Sequence, residues 1–150
     1  MVALARLLVY QRVLASYRIE RALFLTRGPA WPLLKVLLSP MIFLLRPWIA
    51  AGEINYHADI GSGLRVLHPS LGVVISGKTQ AGKNLVLVGG NCIGGRRALK
   101  NGDLVIGDNV TLGANAVILG PVRIGNKVQI GVGAVVITDV AERTWPTTKL

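Results

Sequence analysis

One cysteine, two histidines and seven acidic residues in 150 positions exclude several kinds of chemistry at once. Cys92 alone can form neither an internal disulfide nor a multi-cysteine metal site, and a chain without disulfides fits a reducing compartment. As a nucleophile, Cys92 would need a helix end or a neighbouring cation to stabilise its thiolate, and the residues beside it offer no clear one. It reads as a small residue of the scaffold. His57 and His68 are too few for a catalytic zinc site, which usually takes three protein ligands, so no metal is expected. Aromatic residues make up only 5% of the chain. Proteins that read bases or single strands interleave aromatics or amides with their basic residues in a recognisable module, and no such motif is present. Nucleic acid is therefore not an expected partner. Long apolar runs are also missing. The longest uncharged run in the first fifty residues is 36–45, broken by Pro40, against about 20 residues for a membrane span. The start, Met1 to Arg6, does not read as a secretory leader, because no cleavage motif of small residues follows it.

What the chain does have is a beat of six. Ile106, Leu112, Ile118, Ile124, Ile130 and Val136 are evenly spaced, and Gly107, Gly113, Gly125 and Gly131 follow four of them. Four positions after the first five stand Val110, Ala116, Val122, Val128 and Ala134. The beat extends backward through Ile75, Ala81, Leu87 and Ile93, and earlier through Ile54, Ile60 and Val66. A strict short period means stacked coils, a solenoid, in which one residue per six points into a narrow prism. The glycine after it is expected to turn the corner. The phase slips twice, between Val66 and Ile75 and between Ile93 and Ile106. Slips expel loops, and loops on a rigid scaffold often carry function. Segments 68–72 and 94–103 are therefore candidates.

The charge is lopsided: 17 basic residues stand against 7 acidic ones. The first fifty residues contain Glu20 as their one acid beside seven arginines and lysines. Residues 3–26 read as a helix with Leu4, Leu7, Tyr10, Leu14, Tyr17 and Leu25 on one side, ended by Gly28 and Pro29. Residues 32–45 read as a second, apolar helix, broken or kinked at Ser39 and Pro40 and flanked by Trp31 and Trp48. The expected organisation is a helical segment at 1–50, repeats at 51–140 and an irregular tail at 141–150. The helices either cap the open end of the solenoid or touch an anionic membrane surface, and the two roles are compatible. The expected location is the cytoplasm, with peripheral contact at the inner face of the membrane left open.

Three stretches resemble the hexapeptide-repeat acyltransferases, in the branch of serine acetyltransferase and its short relatives in polysaccharide gene clusters. They are residues 52–63, residues 67–75 with His68, Gly72 and an aliphatic triplet, and residues 106–120. The resemblance covers residues 52–140. It implies a mainly β fold, a left-handed parallel β-helix after two short helices. It also implies a homotrimer with acetyl-CoA, the co-substrate, lying in grooves between subunits. It makes His68 the general base that takes the proton from an acceptor hydroxyl as that oxygen attacks the thioester. A hydroxyl is a poor nucleophile at neutral pH, so this chemistry needs a base such as imidazole. A carboxylate fifteen residues before the histidine orients it in the family, and Glu53 fills that slot. Corner groups at Gly113, Ala114, Gly131 and Val132 map to the acetyl-CoA contacts. Arg97 stands near the place of a second family histidine that holds the acceptor, and arginine can clamp a carboxylate or phosphate but cannot act as a base. The family's glycine–x–proline–alanine–basic tail is replaced by Thr144, Trp145, Pro146 and Thr147. The resemblance thus implies an O-acetyltransferase acting on serine or on a sugar hydroxyl of a polysaccharide or its precursor. The rival reading is a non-catalytic trimeric β-helix scaffold or a degenerate subunit.

Overall fold

The structure is a computed structural model that describes residues 2–28, 30–37, 39–40 and 52–142, with side chains from Leu14 onward. Two helices, α1 (Val2–Arg27) and α2 (Ala30–Leu37), precede thirteen short strands from β1 (Glu53–Ile54) to β13 (Val135–Val136). The strands form three parallel sheets. The first has the order β1-β4-β7-β10-β13, the second β2-β5-β8-β11 and the third β3-β6-β9-β12. The chain therefore visits the sheets in turn, one strand each per coil, around a three-sided prism. Strands three apart in sequence are hydrogen-bonded neighbours, the sheet form of stacked coils.

The sixfold beat is the register of this prism. Ile54, Ile75, Ile93, Ile118 and Val136 face one another down the first sheet. Ile60, Ala81, Ile106 and Ile124 do so in the second, and Val66, Leu87, Leu112 and Ile130 in the third. Most of these side chains are buried, with Leu87, Ile93, Leu112 and Ile118 fully enclosed. The two slips leave the register intact because each extra segment is expelled at an edge. The first forms the Pro69–Leu71 turn between the third and first sheets, and the second forms residues 96–103 between the first and second sheets.

The glycines directly after the inward-facing residues do something other than turn corners. Gly61, Gly107 and Gly113 have ordinary negative φ, but a Cβ on any of them would strike the backbone of the next coil. The left-handed corner residues are shared between glycines two places further on (Gly63, Gly133), Gly90 and a set of non-glycine residues. Asn84, Asn109 and Asn115, together with Lys127, all have φ of 57°. Asparagine tolerates this region because its short amide bonds locally.

The helices close the first coil. Gly28, at φ +54°, ends α1 as its amide donates to the Phe24 carbonyl at 2.8 Å. Tyr17 is buried and its hydroxyl donates to the Ala58 carbonyl at 2.9 Å. Arg18 donates to the carbonyls of Ile60 and Gly61, and Arg21 to those of Tyr56 and His57 and to the Asp59 carboxylate. An end coil exposes carbonyls that no further coil satisfies, and two arginines cover them. Phe24 stacks with Tyr56 and His57, while Leu25, expected on the buried side, is exposed. The expected extension of the second helix to residue 45, Trp48 and the tail from residue 143 lie outside the described residues.

Candidate active site

The edge where the chain passes from the third sheet to the first carries most of the residues singled out in the sequence. His68 sits there directly before the Pro69–Leu71 turn, exposed, with φ −125° and ψ 75°. Its amide donates to the Val88 carbonyl at 2.9 Å and its carbonyl accepts from the Leu71 amide at 3.1 Å. Gly89 in the next coil lies so close that a Cβ there would come within 2.6 Å of the His68 carbonyl. The histidine backbone is thus fixed by two coils while its side chain stands at the surface. Helix α1 runs alongside the same turn and beside β1.

Glu53 opens β1 opposite Val74 in β4, which places it one coil before the His68 turn on the same edge. Among the described residues, no hydrogen bond or ion pair joins the two side chains in the single chain. Two and three coils above His68, the edge continues through Gly113 and Ala114, then Gly131 and Val132. The structure therefore brings six of the seven sequence-predicted positions to one edge.

Hydrogen bonding separates the four corner residues. The Gly113 amide donates to the Ile130 carbonyl at 2.9 Å, and its carbonyl accepts from the Asn91 side chain at 2.7 Å and from the Ala116 amide. Its backbone is fully engaged. The amides of Ala114, Gly131 and Val132 find no acceptor among the described residues. The Ala114 and Val132 amides are free to meet a ligand along the edge, the Gly113 amide is already taken, and Gly131 stands in the last described coil. Gly113 is glycine because a Cβ there would fall 2.7 Å from the Val132 nitrogen.

Asn91 was not anticipated. It is 1% exposed and it ties the edge together, accepting from the Gly89 amide at 3.0 Å and donating to Gly113 and Ala116. Its register partner is Val73, so an amide standing two places before Ile93 was the available signal.

Arg97 lies elsewhere, on the loop at the edge between the first and second sheets. That loop is pinned. Leu99 packs on the core, Arg96 donates to the Ile137 carbonyl at 3.1 Å, and the Lys100 amide donates to Asp103 at 3.0 Å. Lys78, another residue that the sequence reading passed over, donates to the Asn101 side chain at 3.0 Å and tethers the tip. Arg97 itself is exposed. His57 belongs to this second edge too, in the end coil itself, and meets the Phe24 ring edge-on at 4.6 Å. It is a packing residue of the helix cap and stands away from the His68 edge. Among the described residues, no three His, Cys, Asp or Glu side chains gather as a metal site would require.

The outward face of the first sheet separates the two edges. Val74, Cys92, Val117 and Val135 follow one another across it in register, an apolar stripe with Glu53 at its first-coil end. The corresponding residues of the second sheet include Asp59, Gln80 and Arg123.

Comparison with known proteins agrees with this architecture. Residues 103–138 match the family model described as bacterial transferase hexapeptide (six repeats). The serine acetyltransferase of Neisseria gonorrhoeae superposes with a TM-score of 0.64 at 32% identity, over 84% of this chain and 46% of that one. Its structure in complex with serine gives 0.63 and 33%, over 83% and 48%. Soybean serine acetyltransferase complexed with serine gives 0.62 and 29%, over 83% and 49%. This chain spans about half the length of these relatives. No curated protein matches it by sequence. Residues 103–138 thus carry the repeats of the bacterial hexapeptide transferases, and the chain is similar in sequence and fold to the serine acetyltransferases.

Proposed function

We propose that this protein is an acetyl-CoA-dependent O-acetyltransferase with His68 as its general base. The observation that carries the reading is the single edge on which His68 and the open amides of Ala114 and Val132 stand in line. An extended thioester substrate lying along that edge would meet donors at one end and an imidazole at the other. His68 takes the proton of an acceptor hydroxyl while that oxygen bonds to the acetyl carbon. The carbon–sulfur bond breaks, and the imidazolium returns the proton to the departing thiolate. Glu53, one coil below, is the carboxylate that orients the imidazole and stabilises its charged form.

A homotrimer completes the site. If three copies turn the apolar stripe of the first sheet toward a threefold axis, the two edges flanking that sheet in neighbouring copies become adjacent. The Arg97 loop of one copy then approaches the His68 edge of the next, which one chain alone cannot achieve. Arg97 is suited to an acceptor carboxylate or phosphate. Serine satisfies this, as the serine complexes of the similar enzymes suggest, and so does an anionic sugar. We place the work in the cytoplasm, where a lone thiol such as Cys92 stays reduced. The test is release of free thiol from acetyl-CoA by the purified protein, with serine and a panel of neutral and anionic sugars offered in turn. Thiol release with none of them contradicts the proposal.

A further inference from the structure

We propose that the outward face of α2 docks on an anionic phospholipid surface, a property separate from the catalytic reading. Helix α2 has two faces. Trp31 is buried, and Leu34 and Lys35 are half-buried, so this side meets the protein. Lys35 bonds Glu20 at 2.9 Å and lies 5.0 Å from the centre of the Tyr56 ring. The opposite side carries Leu33, Val36 and Leu37, which are 76%, 72% and 76% exposed. Their spacing of three and four puts them on one stripe. Leu25, 66% exposed, and the exposed Arg27 stand in the last turn of α1, which leads into α2.

Charge decides the occupant. No acidic residue occurs between Glu20 and Glu53, and Glu20 is already neutralised by Lys35. Arg27, and Arg46 further along the sequence, leave the segment positive. A second copy docked here would bring like charges together, whereas anionic headgroups complement them. The apolar stripe from Val74 to Val135 on the first sheet is the better surface for self-association. Among the described residues, no helix is long and apolar enough to cross a membrane. An apolar stripe on a positively charged segment lies in the interface plane instead, with its leucines in the acyl boundary.

Flotation of the full-length protein with phosphatidylglycerol–phosphatidylcholine vesicles tests this. Binding is expected at low salt (about 0.05 M), falling several-fold at about 0.5 M and nearly absent on pure phosphatidylcholine. The triple variant Leu33→Gln, Val36→Gln, Leu37→Gln should bind at least about tenfold more weakly, with unchanged melting temperature and molecular mass. Arg27→Gln should weaken binding to the anionic vesicles alone, by a few-fold, and serves if the triple variant fails to fold. No binding by the wild-type protein at low salt overturns the proposal, as does binding that neither variant changes. A triple variant that drops to a smaller oligomer assigns the face to a second copy and overturns it too. Acetyl transfer is read separately, so its presence or absence does not bear on the vesicle result.

Discussion

Two glycines on the candidate edge separate stacking from ligand contact. An alanine at position 113 puts a methyl 2.7 Å from the Val132 nitrogen and 2.9 Å from the Gly131 carbonyl carbon. Both are backbone atoms of the next coil, so neither can swing aside. Overpacking of this kind costs about 1–3 kcal/mol. For a chain of this size, that is a fall in Tm of about 3–10 °C. Position 131 is the opposite case. It has ordinary φ, and nothing lies within 4 Å of where a Cβ would stand. Gly131→Ala should therefore leave Tm within about 1–2 °C of the wild type. If acetyl-CoA lies along the edge at Gly131, the new methyl crowds that approach and the KM for acetyl-CoA rises with little change in kcat. Gly113→Ala confounds the two effects, whereas Gly131→Ala isolates the second. Thermal melts followed by circular dichroism, paired with initial rates at varied acetyl-CoA, read both. Equal destabilisation by the two substitutions would refute the stacking argument.

Burial pushes the Tyr17 phenol above its ordinary pKa, so the folded protein holds that proton after the unfolded chain has lost it. Stability should then fall as pH rises past about 10, and Tyr17→Phe should flatten that alkaline slope while costing about 0.5–1.5 kcal/mol at neutral pH. Urea melts across pH 8–11 check the sign, and an unchanged slope in the variant counts against the cap geometry. Val117→Asp places a carboxylate in the middle of the apolar stripe and should shift the protein to monomers in sedimentation velocity without unfolding it. Arg97→Ala should raise the KM for one substrate by about tenfold or more and leave kcat nearly unchanged. Titrating acceptor and acetyl-CoA separately identifies which substrate, and unchanged constants for both would free the loop of any binding role.

The solenoid was legible because its cause is periodic. A prism admits one inward side chain per six residues, so Ile106 to Val136 declare their columns in the sequence, and the two slips announce their loops. The glycines were visible for a partly mistaken reason. Those after the inward residues serve the next coil's backbone, and the left-handed corners fall instead to Asn84, Asn109, Asn115, Lys127 and a different set of glycines, Gly63, Gly90 and Gly133. The helix cap was legible as one of two compatible roles for the first fifty residues, but its contacts were not. Arg18 and Arg21 reach carbonyls 35 to 43 residues away, and no local pattern encodes such contacts. In the sequence they looked like part of a membrane-facing charge, yet the structure commits both to the first coil. For the site, the family resemblance pointed to residues that share one edge but could not rank its backbone donors. That ranking depends on which amides the neighbouring coil has already taken, as at Gly113.

Acetyl transfer by His68→Ala, set against the wild-type protein at saturating acetyl-CoA and acceptor, tests the central claim most directly. The side chain is exposed and its backbone is held by Val88 and Leu71, so the substitution should leave Tm and oligomeric mass unchanged. Loss of the general base should lower turnover by about 10²- to 10⁴-fold. A folded His68→Ala protein that turns over within a few-fold of wild type would contradict the account.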